Sequence, residues 1–525
     1  MSSSKGRSKT NTAQSNELDH MGQTAAEAGE FRTALGFFEQ AIDADKRNAA
    51  PRYNLATMLG RLGHVDAAAQ QLTVVLRLEP KVTQAAQRLS EFLGQAKLQE
   101  PGNLDPRGLR TALTIGAADR QPITAATFEY LRASSDLGQV LDHGQSDGWP
   151  RAASELLQKR TAKILSNDLL LAALRAGVNT DIALEQLLTT LRRTILFDLD
   201  DERFGDKALQ NFACSLIHQC LNNGYVLARD ATEIEACANL AIDPDAVFAG
   251  DNDACRNLFK LSLYQPFEQS LPDLARVDQL SSVRPKILRE LAQAHLTAIF
   301  EERAIAEDLT RFASIADETS LRVAGQYEAN PYPRWSSIQF PATGAALRRL
   351  TTLLGAERVT FAEQPFDVLI AGAGTGQHAI LSAARYGPNA RLFAIDLSAP
   401  SLAYATRAAR MLGVDTIEFA QGDILELDEL DRSFEVIETV GVLHHMADPA
   451  AGLQVLNRRL KLGGVMYLGL YSPISRGPIM ELRNDPDHRG RAVPTMRRGP
   501  TALPSLSVIR KCRAATWCDQ RISAP

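Results

Sequence analysis

The chain has 525 residues, 57 Lys and Arg against 62 Asp and Glu, a net charge of -5 and 45% hydrophobic residues. That length and content predict a sizeable core spread over two to four domains. The mild acidity argues against nucleic acid as the main substrate, because phosphate binding needs a basic face. No signal peptide or membrane-length apolar run is read in it, which makes the cytoplasm the default location. The six cysteines (Cys214, Cys220, Cys237, Cys255, Cys512 and Cys518) form no C-x-x-C pair, and free thiols in a reducing compartment are the simplest expectation.

Residues 1–16 are polar and rich in Ser, Thr and Lys, a composition expected of a disordered tail. Residues 17–113 then carry an internal repeat. Gly29, Ala34, Phe38 and Ala41 recur 34 residues later as Gly63, Ala68, Leu72 and Val75. Small residues at a helix crossing, with a bulky one four further on, are the signature of tetratricopeptide (TPR) repeats, pairs of antiparallel helices. Pro80 closes the second unit, Lys46 stands where the first should have its proline, and a weaker third unit runs from Val82 to about Leu113. The concave face of such an array usually takes a peptide or a helix, which makes a protein or peptide partner the expectation. The alternative is that the repeats stiffen or dimerise the chain.

From 114 to 320 the pattern is helical. Asn167 caps an apolar run of Leu169, Leu170 and Leu174 that ends at Gly177, and Thr180 opens a second helix with Leu184, Leu187, Leu188, Leu191 and Ile195 on one face. Similar segments follow at 207–222 and 283–306. No nucleophile elbow, phosphate loop or metal-ligand spacing interrupts them, so their Leu-rich faces read as core.

Aromatics and prolines then concentrate in Tyr327, Asn330, Pro331, Tyr332, Pro333 and Trp335, in a chain only 6% aromatic. The prolines stiffen the backbone and exclude a helix there. Beyond them lies the richest stretch, FDVLIAGAGTGQHAILSAARYGPNARLFAIDLS over Phe366 to Ser398. An apolar strand breaks into Gly372, Ala373, Gly374, Thr375 and Gly376, continues as a helix, and returns as a strand closing on Asp396. Strand, glycine turn, helix, strand and terminal carboxylate make the nucleotide-binding half of a doubly wound α/β fold. The spacing Gly374-x-Gly376-x-x-Ala379 suits a dinucleotide, so NAD stays open on the glycines alone. A third strand from Ile417 ends at Asp423 and Ile424, a fourth from Phe434 runs into Leu443, His444 and His445, and Gly463-Gly464 turns into a fifth, Val465 to Tyr471.

In that order and at that spacing the motifs resemble the class I S-adenosylmethionine (SAM)-dependent methyltransferases, over about Phe361 to Ser472. With the repeats, the chain is similar to bacterial methyltransferases of that class with N-terminal TPR repeats. The resemblance implies an α + α/β chain with helical repeats, a helical middle and a Rossmann-like methyltransferase sheet over 321–472, apparently missing its last strands. It implies SAM as cofactor. Main-chain groups of Gly372, Ala373, Gly374 and Gly376 would meet its amino-acid end, and Asp396 its ribose. Asp423 would meet the adenine amino group, with Leu397 and Ile424 as apolar walls. It further implies that the segment holding Tyr327, Asn330, Tyr332 and Trp335 forms a lid or acceptor wall; the alternative is a linker packed outside the sheet.

Transfer of a sulfonium methyl is an in-line displacement needing alignment more than acid–base help. His444 and His445 are the candidates for a proton acceptor, or else they shape the cofactor pocket. A metal site between them is not expected, since neighbours on a strand point to opposite faces and no third ligand is in view. Residues 473–525 lose all periodicity while Arg and Pro rise together. They are expected to be a frame-shifted, non-native terminus, or else a basic disordered arm for an acidic partner. The expected function is SAM-dependent methylation of a protein or small molecule; the alternative is a TPR adaptor with an inactive methyltransferase-like domain.

Overall fold

The computed structural model describes residues 2–157, 162–329, 335–470, 472 and 477. The chain divides into two compact units. The first comprises residues 1–227, 231–293 and 336–339; the second comprises 228–230, 294–335 and 340–525.

The first unit is helical. Its opening helices, Ser2–Glu27 and Phe31–Ala44, pack as a pair, followed by Ala50–Arg61 with Val65–Leu78, on which Thr83–Gln95 and Pro106–Ala112 both pack. Gly29 and Gly63, 34 residues apart, both take φ above +80°, which reverses the chain between paired helices. A Cβ at either would meet no atom within 4 Å, so the demand for glycine is conformational and not steric. Ala34, Phe38 and Ala41 in one repeat and Ala68, Leu72 and Val75 in the next are all buried. The residues expected to be a disordered tail instead lie within the first helix. Its polar side chains find partners where apolar ones are lacking: buried Ser15 donates to the Ala41 carbonyl, and Asn48 donates to Asn16.

Farther along, Asn167 caps the Asp168–Ala176 helix by accepting from the Leu169 and Leu170 amides. The next helix, Ile182–Asp198, is capped by Asp181, which accepts from the Leu184 amide, and not by Thr180. A carboxylate is the stronger acceptor for those unpaired amides. Cys214, Cys220 and Cys255 are buried free thiols.

The second unit is built on a six-stranded sheet, all parallel, in the order β1-β4-β3-β2-β5-β6. The strands are β1 Thr310–Arg311, β2 Phe366–Ala371, β3 Ala390–Asp396, β4 Ile417–Gln421, β5 Phe434–Val440 and β6 Leu460–Gly469. Strand β1 falls inside the stretch expected to be helical, and two residues are too few to carry an alternation pattern. The central strands β2 and β3 are mostly apolar on both faces because helices cover both. Val368, Ile370, Leu392 and Val436 pack one way with Ala379 and Ala383; Leu369, Ala371, Ile395 and Ile437 pack the other way with Leu456. Among the described residues β6 is an edge, with Tyr467 and Leu468 exposed. The expected non-native segment 473–525 lies outside the described residues, apart from residue 477.

The strand order reverses between β2 and β5, which sets a crevice at the carboxyl ends of those neighbouring strands. No helix of the described residues is long and apolar enough to cross a membrane.

Candidate active site

The crevice starts where β2 ends. Gly372, Gly374 and Gly376 all have positive φ, +86°, +53° and +82°. A Cβ on Gly372 would lie 2.2 Å from Val442, and one on Gly376 would lie 2.4 Å from the Ala405 methyl. Conformation and space therefore both require glycine at these two positions.

The turn is tied to β3 on its other side. The amides of Gly372 and Ala373 donate to the Ile395 carbonyl, and the Gly376 amide donates to Ala373. The Gly374 amide donates to Asp396 Oδ2 at 2.8 Å, while Asp396 Oδ1 accepts from the Ser398 amide at 3.0 Å. Those four turn amides are thus committed inside the protein. The carbonyls of Gly372 and Gly374 carry no hydrogen bond among the described residues, so the turn offers acceptors to a ligand, which suits an ammonium. This narrows the expectation that main-chain groups of the turn would meet the amino-acid end of the ligand: the groups left to do so are carbonyls.

Asp396 is half-buried by surface yet closely surrounded by protein. Burial pushes its carboxyl above the ordinary value, with the Ser398, Gly374 and Leu397 amides pulling it back in part. At the end of β4, Asp423 is 3% exposed. Its Oδ1 accepts from the Leu425 amide at 3.0 Å, whereas its Oδ2 is buried with no hydrogen-bond partner. A buried carboxylate oxygen left unpaired is costly, and an amino donor from a ligand would satisfy it. Ile424 is buried beside it and Leu397 half-buried at the end of β3. One glycine turn, two carboxylates on adjacent strand ends and apolar walls fit a ligand with an ammonium end, a ribose and an adenine.

His444 and His445 lie on a 3-10 turn, Leu443–His445, and not on a strand. The argument that they must face opposite ways therefore fails, and their ring centroids are 4.3 Å apart. His444 is half-buried and His445 exposed. Among the described residues no group of three or more His, Cys, Asp or Glu could hold a metal ion.

Of the upstream aromatic segment, Asn330 and Tyr332 lie outside the described residues. Tyr327 is half-buried on the Glu318–Ala329 helix. Trp335 reaches the glycine turn, its indole N–H donating to the Thr375 carbonyl at 3.0 Å. Tyr404 donates its hydroxyl to the Trp335 carbonyl and sets its ring edge-on to the indole, 6.0 Å away. Sequence reasoning did not find Tyr404, because one Tyr on an apolar helix carries no signal. It also missed a buried cluster behind the turn, in which Glu438 of β5 meets His378, Ser382 and Tyr386 of the Gln377–Tyr386 helix.

Two family models match parts of the chain. The family model for a methyltransferase domain matches residues 363–493, and that for a tetratricopeptide repeat matches residues 25–98. The chain carries a methyltransferase domain behind TPR repeats. An uncharacterized protein of Synechococcus sp. is 32% identical over 187 residues, covering 33% of this chain and 42% of the relative. A 37.1 kDa protein of a Streptomyces fradiae transposon is 31% identical over 131 residues, covering 25% and 36%. The chain thus spans under half the length of either relative. Among solved structures, coclaurine N-methyltransferase bound to N-methylheliamine and SAH is 17% identical, with 42% of this chain and 63% of that one covered and a TM-score of 0.19.

Proposed function

We propose that the chain transfers the methyl group of SAM to a protein or small-molecule acceptor by in-line displacement. The observation that carries this reading is the buried, unpartnered Oδ2 of Asp423, just past the end of the strand that pairs with the one ending at Asp396. SAM supplies an already activated sulfonium methyl. The chain's own residues bind and orient it. The Gly372 and Gly374 carbonyls accept from the α-ammonium, Asp396 accepts from the ribose hydroxyls, and Asp423 accepts from the adenine amino group. Leu397 and Ile424 exclude water from the ring.

Trp335, hydrogen-bonded to Thr375, closes one side of the turn and serves with Tyr327 as part of the acceptor wall. Where the acceptor carries a proton, half-buried His444 takes it; His445 is exposed and shapes the mouth. The TPR-like repeats take a peptide or protein partner, and the protein works in the cytoplasm.

A calorimetric titration of the full chain with SAM tests this, with NADH and Asp396→Ala as controls. Micromolar SAM binding lost in the variant supports the reading. Binding of NADH instead of SAM moves the chain to dinucleotide chemistry, and binding of neither leaves the repeats as its working part, an adaptor.

A further inference from the structure

Glu438 sits in the middle of β5, in register with Ile370 of β2, and is 5% exposed. A carboxylate there, between two apolar strands, is unexpected unless it is well partnered. Its partners all come from one face of the helix that leaves the glycine turn. Ser382 Oγ donates to Oε2 at 2.6 Å and Tyr386 Oη to Oε1 at 2.8 Å. His378 Nε2 lies 2.9 Å from Oε2, at ion-pair distance though not aligned for a straight hydrogen bond. Positions 378, 382 and 386 are spaced four apart and so stack along one stripe of the helix. Burial pushes the Glu438 carboxyl up, but His378, Ser382 and Tyr386 together outweigh it and hold the group below its ordinary value.

The arrangement pins the first three turns of the helix to the strand beside β2. That helix starts directly after Gly376, whose carbonyl accepts from the Ile380 amide. His378 is the partner nearest the turn and, with a side chain 28% exposed, the one nearest solvent. Ser382 and Tyr386 lie deeper and would hold the helix without it.

We propose that Glu438, acting through His378, is a positioning residue that holds the glycine turn in the conformation presenting the Gly372 and Gly374 carbonyls to the amino-acid end of the cofactor. This rests on the SAM-site reading above. Adenine and ribose are met by Asp423 and Asp396 from other strands, so their recognition does not depend on the pair. Glu438 is too deep to touch the ligand and works through the helix.

The experiment measures affinity of the full chain for two neutral thioethers, S-adenosylhomocysteine and 5′-methylthioadenosine. They share adenine and ribose but only the first has the amino-acid end. Glu438→Gln and His378→Ala should each weaken S-adenosylhomocysteine about tenfold and leave methylthioadenosine within about twofold. The double variant should be no weaker than either single one, since the two residues act as a unit. Asp396→Ala, in contrast, should weaken both ligands. A parallel loss of both ligands in Glu438→Gln and His378→Ala would make the cluster merely structural and overturn the proposal, as would unchanged affinity for both. If the wild-type chain binds neither ligand, the SAM-site reading falls and this falls with it. Should Glu438→Gln fail to fold, the part-exposed His378→Ala still decides the matter.

Discussion

The indole N–H of Trp335 donates to the carbonyl of Thr375, 40 residues along the chain and in the centre of the glycine turn. The indole thereby satisfies a main-chain acceptor of the turn. Replacing Trp335 by Phe keeps a ring and removes the donor. One neutral hydrogen bond contributes about 1 kcal/mol, so the denaturation midpoint should shift only slightly. SAM should dissociate several-fold faster from the loosened turn. Stopped-flow displacement measures that rate, and an unchanged value would count against Trp335 as a wall of the site.

Asp396 links the turn to the ribose position, and its raised carboxyl value has opposite consequences for stability and for binding. Because the folded value lies above the unfolded one, its contribution to the empty protein is fully present in acid and is lost as pH rises through the raised value. Ribose binding needs the ionised acceptor. SAM affinity should therefore fall on acidification through that raised value. Titrations between pH 4 and 8 read the curve, and Asp396→Asn should flatten it. Each hydrogen bond to a charged group contributes about 1.5–3 kcal/mol, so Asp396→Ala should cost roughly a hundredfold or more in affinity.

Much of this site was legible because the physics that builds it is local. The strand Phe366–Ala371, the glycines that must take positive φ and the carboxylate ending β3 all sit within about thirty residues. The 34-residue repeat was equally plain, since Ala34 and Ala68 are small for the same crossing. Glu438 was not legible. In FEVIETV it falls on the same side as Phe434, Val436 and Val440, a pattern that names no partner for a carboxylate, and only the fold brings His378, Ser382 and Tyr386 against it. The commitment of the turn amides to Ile395 and Asp396 was hidden for the same reason. His444 and His445 were misplaced because a 3-10 turn of three residues has no periodicity with which to distinguish it from a strand end.

The thiols of the first unit give a check on its packing. Burial pushes Cys214 and Cys220 up to about 12. At pH 8 the thiolate fraction is then on the order of one in ten thousand, and the thiolate is the nucleophile. Both should resist an aromatic disulfide reagent in the native protein and react at once in denaturant. Peptide mapping by mass spectrometry assigns the labelled sites. Fast native labelling of either would mean that this part of the helical unit opens.

Gly376 allows the two demands of the turn to be separated. Its φ of +82° strains any residue with a Cβ, at about 1–2 kcal/mol. Its missing Cβ also makes room for Ala405, whose methyl would lie 2.4 Å from a methyl placed there, an overlap that costs a further 1–3 kcal/mol or so. Gly376→Ala should thus destabilise the domain by about 2–5 kcal/mol. Ala405→Gly alone removes a methyl from a helix and should cost about 1 kcal/mol. In the double variant the clash is relieved but the φ strain stays, so the loss should be smaller than the sum of the two singles by about 1 kcal/mol or more. Urea midpoints measure all three. Strict additivity would show that conformation alone keeps glycine at 376, and full recovery would show that packing alone does.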